Sequence, residues 1–433
     1  MRKVIKIMDQ WTFVDLNKET HTLDLPHTWN NIDGQDGGND YKRGTCVYSK
    51  TLVKPEFNED QCVYLQFHGV NASAKVILND TVLGTHDNGY STFRYDVTDV
   101  LKDENNLVVE VDNSVNELVY PQTADFTFYG GIYRDVEWLI VSKEHFDLDY
   151  YGGPGIQVSA DVTDNDASVH VLTYVHTAGD VKVDILDADG NVVVSGEGTD
   201  VHLDIKKVHL WDGIKDPYLY TVKAILEVEG TVKDEITTSL GVRSFAFDPN
   251  KGFFLNGRSY PLYGVSRHQD RRGIGNAISK ADHDEDMALI REVGANTIRL
   301  AHYQHDQYFY DLCDEYGMVV WAEIPYISRH MPTGRENTIS QMKELITQNY
   351  NHPSICMWGI SNEITISSKH KADMLDNHHA LQKLCHEMDK TRPTTLACYA
   401  MCDPFHPVTK ISDIVAWNLY LGWYVPGFFL NDL

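Results

Sequence analysis

After Asp248 the chain changes period. Short apolar runs alternate with stretches of helical spacing, and that alternation limits the second half to a parallel sheet with helical crossovers. Residues 260–265 read as the first strand, and 280–293 as a helix with Ser279 at its N-cap and Gly294 as its stop. Strand 297–301, helix 307–316 closed by Gly317, and strand 318–322 follow. Then come helix 339–350, strand 354–358, helix 372–388, and strands 394–399 and 414–418. Units of this size predict a (β/α)8 TIM barrel, but only about six strands are visible and a whole barrel takes about 250 residues. The expectation is a barrel that is C-terminally incomplete, with two strand edges open to another segment.

The text before the barrel is of another kind. Over 1–145, alternating segments such as 62–67, 74–78 and 107–111 are punctuated by Asn79-Asp80, Asp87-Asn88-Gly89 and Asn105-Asn106, which reads as a β-sandwich. Over 146–243 the runs 168–174, 181–187 and 218–228 are spaced like an immunoglobulin-type module without a Cys-Trp-Cys core. The barrel is expected to occupy 244–433. With 63 acidic and 37 basic residues the net charge is −26, a balance that repels nucleic acid and anionic membranes. No apolar run has the length of a signal or a membrane span, so a cytoplasmic protein is expected. Seven scattered cysteines form no disulfide framework, and Cys398 and Cys402 read as packed thiols.

One barrel run stands out. Residues 354–358 are too few for a helix and too uniformly apolar for a half-exposed strand, so they read as a parallel strand buried on both faces. Asn362 and Glu363 lie just past it, at the C-terminal end where barrels build their chemistry. A carboxyl group placed there can be held protonated as a general acid. The alternative, a surface glutamate just past a strand, is the weaker reading given an Asn-Glu pair after a buried strand.

Three longer patterns carry a resemblance. The segment from Asn351 to Glu363, the stretch 296–303 leading into 312–317, and Phe128-Tyr129-Gly130-Gly131-Ile132-Tyr133-Arg134-Asp135-Val136 together resemble glycoside hydrolase family 2. The likeness covers essentially the whole chain. It implies a sugar-binding jelly roll, an immunoglobulin-like β-sandwich and a catalytic barrel. Hydrolysis of terminal β-D-galactosides is the implied activity, because the wording around Asp125 and Gly130-Gly131 looks most like the β-galactosidases. The alternatives are β-glucuronidase, or a non-catalytic carbohydrate-binding protein on the same fold.

By this resemblance Glu363 is the acid/base of a retaining mechanism and Asn362 binds the sugar 2-hydroxyl. Arg299 orients the nucleophilic carboxylate, while His268, His302, Asp125 and Tyr420 bind the sugar. The residues alone leave other readings open. His268 and His302 fit a satisfied core, Phe126, Phe128 and Tyr129 fit the sandwich interior, and Tyr420 with Asn418 and Trp423 fits packing at the barrel rim.

Two departures bear on the chemistry. Metal-dependent β-galactosidases carry a glutamate and a histidine, one residue apart, after the third strand, where this chain has Ile327 and Arg329. No metal and no cofactor is therefore expected, and Glu323 reads as a carboxylate supporting the site from behind. The family nucleophile, a glutamate ending the seventh strand, has no counterpart after Tyr420, so the chain by itself is expected to be inactive. The partners implied are a small carbohydrate and either a second copy or a complementing C-terminal segment.

Overall fold

The computed structural model describes residues 2–34, 41–367 and 369–420. Trp423 and the rest of the stretch 421–433 lie outside them.

Two antiparallel sheets form the first sandwich. One has six strands in the order Thr20–Leu23, Trp11–Val14, Thr45–Val53, Glu104–Asp112, Ser73–Leu78 and Thr81–His86. The other has four, in the order Lys3–Lys6, Val136–Ser142, Gln61–Phe67 and Phe93–Asp96. The alternation read in the sequence is the burial pattern of these strands. Along Glu104–Asp112, Asn105, Leu107, Val109 and Val111 point inward, and Trp11, Tyr48, Leu65 and Phe67 meet the three apolar ones in a single core.

The second sandwich pairs a three-stranded sheet (Ile156–Thr163, Asp166–Thr173, Asp200–Ile205) with a four-stranded one (Val192–Glu197, Asp180–Leu186, Tyr220–Val228, Thr231–Leu240). Its core is built of Val169, Val171, Val183, Ile185, Val222 and Leu226.

The described barrel strands form one parallel sheet of six in chain order: Gly264–Arg267, Thr297–Leu300, Val319–Glu323, Ile355–Asn362, Thr394–Tyr399 and Ile414–Asn418. Helices Lys280–Glu292, Gln307–Tyr316, Arg335–Asn349 and Lys371–Met388 connect them. Ser279 and Asp282 close a capping box at the first helix, and Gly317 ends the second in the left-handed conformation. Ile298, Leu300, Val320, Ala322, Trp358, Ile360 and Leu396 form the barrel core.

Two strands differ from the sequence reading by more than one residue at an end. The first begins at Gly264 rather than 260, because Tyr260 and Leu262 pack with Trp211 and Phe253 beneath the barrel. A Cβ at Gly264 would come within 2.0 Å of the Thr297 carbonyl oxygen, so glycine sets where the strands can close together. The fourth runs on to Asn362 instead of stopping at Trp358. Gly359 permits this extension. A Cβ there would stand 2.4 Å from both the Glu323 Cβ and the Trp321 indole nitrogen.

The first sandwich is fused to the barrel rather than tethered to it. Tyr120 is a member of the barrel core, and its hydroxyl accepts from the Met331 amide at 2.6 Å. Tyr90 stacks on Tyr303 with ring centroids 4.2 Å apart. Glu344, buried on the third barrel helix, accepts from His86 Nε2 at 3.1 Å and from Asn88 and Ser91, all three in the sandwich. Burial raises the Glu344 pKa, but His86 and these donors more than offset that and leave it below the ordinary carboxylate value.

Candidate active site

The C-terminal ends of the second, third, fourth and sixth strands bring one polar network together. Arg299, near the end of the second strand, is its hub. Its guanidinium donates to Glu323 through Nε and Nη2, each at 3.1 Å, to Asn362 Oδ1 at 2.7 Å and to Asn418 Oδ1 at 3.0 Å. The Trp321 ring lies beneath it, 4.1 Å from the guanidinium carbon. Sequence reasoning gave Arg299 the nucleophilic carboxylate as its partner. Among the described residues the carboxylate it holds is Glu323, because the extended fourth strand leaves Glu323 sealed beside Gly359 with no access to solvent.

Glu323 is fully buried and also accepts from His302 Nδ1. Burial pushes its pKa up, but Arg299 and His302 outweigh that, so the carboxyl stays below its usual value and ionised. The carboxylate fixes the His302 tautomer. With its proton on Nδ1, the imidazole presents Nε2 as an acceptor.

His268 is arranged the other way. The Tyr303 hydroxyl accepts from the Gln269 amide at 3.4 Å and lies 3.1 Å from His268 Nδ1, so its proton goes to that nitrogen and His268 presents Nε2–H as a donor. Burial, with His302 nearby, lowers the His268 pKa to about 3, and the ring is neutral at physiological pH. The two imidazoles are 5.3 Å apart. The mouth thus offers one acceptor nitrogen, on His302, and one donor nitrogen, on His268.

Asn362 and Glu363 close the fourth strand. The Asn362 amide nitrogen donates to the Tyr326 carbonyl at 2.9 Å, and that of Glu363 to the Ala397 carbonyl at 2.7 Å. Glu363 has a φ of 50°, a left-handed conformation that costs a non-glycine residue energy and often marks a functional position. Its Oε1 accepts from Asn418 Nδ2 at 2.8 Å, and the same amide group donates to Asn362 Oδ1 at 3.0 Å. Asn418 therefore links the two residues that sequence analysis singled out. Its own importance had no strong signal beyond its place at the end of the sixth strand.

The first sandwich contributes Phe126. Its ring is 4.9 Å from His268 and 6.0 Å from His302, so it covers the histidines instead of filling the sandwich interior as expected from sequence. Phe128 does stay with the sandwich, under Arg43, while Tyr129 reaches out to donate to Asp270 at 2.9 Å. Asp125 is exposed and immediately precedes Phe126. Tyr420, two residues past Asn418, is about half exposed at 47%.

The positions expected to differ from the metal-dependent enzymes do not suit a divalent cation. Ile327 is buried and offers no donor atom, and Arg329 is a cation paired with Glu117 at 3.1 Å. Cys398 and Cys402 are both buried and free, and burial pushes the Cys398 thiol up to about 12.

Comparison with known proteins agrees with this architecture. Residues 249–432 match the family model of the glycosyl hydrolases family 2 TIM barrel domain, 35–147 the glycosyl hydrolase 2 galactose-binding domain-like model, and 147–243 the glycosyl hydrolases family 2 model. A beta-glucuronidase of Bacteroides fragilis is 38% identical over 98% of this chain and 64% of its own length. A beta-galactosidase of Thermoanaerobacterium thermosulfurigenes is 30% identical over 97% of the chain and 61% of its own length. The chain thus spans less than two thirds of these curated relatives. Among solved structures, an FMN-binding beta-glucuronidase from Facaelibacterium prausnitzii L2-6 superimposes with a TM-score of 0.95 and 44% identity, covering 98% of this chain and 68% of that one. On these matches and on its three-part architecture, the chain belongs to glycosyl hydrolase family 2.

Proposed function

We propose that the protein carrying this chain is a retaining β-glycosidase with Glu363 as its acid/base and terminal β-D-glucuronides as its substrates. The observation that carries the catalytic part is the placement of Glu363. It stands in a left-handed turn at the mouth of the sheet, oriented by Asn418 and adjoining Asn362, which Arg299 holds. Glu363 would protonate the glycosidic oxygen and later deprotonate the incoming water. Asn362 would bind the 2-hydroxyl, where a hydrogen bond strengthens as the oxocarbenium ion forms. His268 and His302 would hold further hydroxyls, beneath Phe126.

A retaining reaction needs a second carboxylate about 5–5.5 Å from the first. Glu323 is engaged by Arg299 and His302 and has no exposed surface, so it supports the site and does not attack the sugar. The nucleophile is proposed to lie outside the described residues.

The choice of sugar rests on the relatives. The Bacteroides and Facaelibacterium proteins named for β-glucuronides are more similar than the Thermoanaerobacterium protein named for β-galactosides. This reverses the preference drawn from the surroundings of Asp125. The β-galactoside remains the second reading, favoured by that relative. Comparing kcat/KM for nitrophenyl β-D-glucuronide and β-D-galactoside tests the choice. The glucuronide should be preferred by about tenfold or more, and the reverse ranking would restore the galactoside. Glu363→Gln should lower kcat for an alkyl glycoside by about 10²–10⁴-fold. A nitrophenyl glycoside, whose leaving group needs little protonation, should suffer less in its first step. Wild-type turnover of the alkyl glycoside in this variant would overturn the role given to Glu363.

A further inference from the structure

The second sandwich carries a cluster that the glycosidase reading does not use. Strands Asp166–Thr173 and Asp200–Ile205 pair antiparallel with His170 directly opposite His202. Partners at one register position point to the same face of a sheet, and Asp200 is two residues before His202, so it shares that face. The burial pattern identifies the face as the outer one. Val169, Val171, Val201 and Leu203 alternate with the cluster and point into the core. His170 Nε2 lies 2.7 Å from Asp200 Oδ1, and the two imidazoles stack with centroids 4.3 Å apart and planes 4° from parallel. One ligand atom from each of the three residues lies within 4.8 Å of the others.

We propose that His170, Asp200 and His202 form a site for a divalent transition-metal ion of the zinc, copper or nickel class. Two imidazoles and one carboxylate are the donors such ions take, whereas calcium and magnesium prefer all-oxygen sets. Ligands at about 2.0–2.1 Å around a tetrahedral ion are separated by little more than 3 Å. Rotating the two rings out of their stack would turn one nitrogen of each toward the Asp200 carboxylate and bring the set to that spacing across the paired strands. Neither ring nitrogen of His202 has a hydrogen-bond partner among the described residues, so coordination there gives up only the stacking against His170. The local charge also suits a cation. Asp204 follows His202 on the same exposed face, giving Asp-x-His-x-Asp on this strand, with His170 across from it. Water would complete the coordination, because the site opens to solvent.

Titration of zinc into the folded chain, followed by calorimetry, tests the proposal. The chain has 20 histidines, so the informative quantity is the difference between variants. His170→Ala and His202→Ala sit on the sheet surface and should leave the fold intact by circular dichroism. Loss of groups that merely support a metal ligand costs ~10–100-fold in affinity, so loss of a ligand should weaken one binding event at least that much. Copper(II) spin resonance should show nitrogen coordination in the wild type and lose it in the double variant. Unchanged zinc affinity and an unchanged copper spectrum in the double variant would overturn the proposal, as would calcium binding as tightly as zinc.

Discussion

Two buried carboxylates, Glu323 in the barrel mouth and Glu344 in the seam between sandwich and barrel, solve the same problem in different ways. Both lose their hydration and both are held below the ordinary carboxylate pKa. Glu323 is balanced by a neighbouring cation, Arg299, whose remaining donors pass on to Asn362 and Asn418 and through Asn418 to Glu363. Glu344 is balanced by His86, Asn88 and Ser91, which belong to another domain, and of these Asn88 goes on only to accept from the Tyr90 amide at 3.1 Å. A buried charge therefore orders a reactive mouth in one place and clamps two domains in the other. The distinguishing mark is whether its partners also hold the side chains at the strand ends, as Arg299 holds Asn362 and Asn418.

The most damaging break should come from the mouth. Arg299→Ala would leave Glu323 buried without its cation, and removing one partner of a buried pair costs about 3–5 kcal/mol. Denaturant unfolding should record that loss, and turnover by the complete enzyme should fall with it because Asn362 loses its Arg299 donor. A variant as stable as the wild type would mean that Glu323 had gained a proton at little cost.

Glu344→Ala should follow at about 2–3 kcal/mol, the penalty of leaving buried donors without an acceptor. Here the comparison predicts a split. Stability falls, but kcat/KM per folded molecule stays at the wild-type value, and a fall in both would show that the seam also controls the mouth.

Smaller again is His302→Ala. In the complete enzyme, losing one hydroxyl acceptor should reduce kcat/KM by an amount equivalent to about 1–3 kcal/mol of transition-state binding. Wild-type kinetics would return His302 to the status of a core histidine.

The mildest effect concerns acid. Burial lowers His27, His283 and His378 to about 4 and His268 to about 3, from an ordinary value of 6.5. Between those values the unfolded chain binds protons that the folded chain refuses, so stability falls as the pH drops through that window. Unfolding midpoints measured at intervals between neutral pH and about pH 4 should decline steadily. A flat profile would mean that these rings titrate normally in the fold.

Much of this was legible from residue order. Helix Gln307–Tyr316 and strands Thr394–Tyr399 and Ile414–Asn418 lie where periodicity and Gly317 put them. Elsewhere the governing interactions are distant in sequence. Helix Arg335–Asn349 begins four residues earlier than expected, because its first turn follows a short 3-10 turn and has no side-chain cap to announce it. Glu363 was readable as the residue ending a buried run. Glu323 as the partner of Arg299 was not, since their pairing depends on an absent Cβ at Gly359 on a third strand. Phe126 was misplaced for a similar reason: an aromatic residue near the end of a sandwich looks like sandwich core until the neighbouring domain is present.

Tyr120 and Phe126 together impose a rule on anyone who would recombine this protein. Six positions apart, one ring is a member of the barrel core and the other shields the mouth histidines. A barrel transplanted without that strap would carry a hole in its wall and an unroofed pocket at once. For inheritance and for engineering alike, the loop that sequence assigns to the first domain is part of the third.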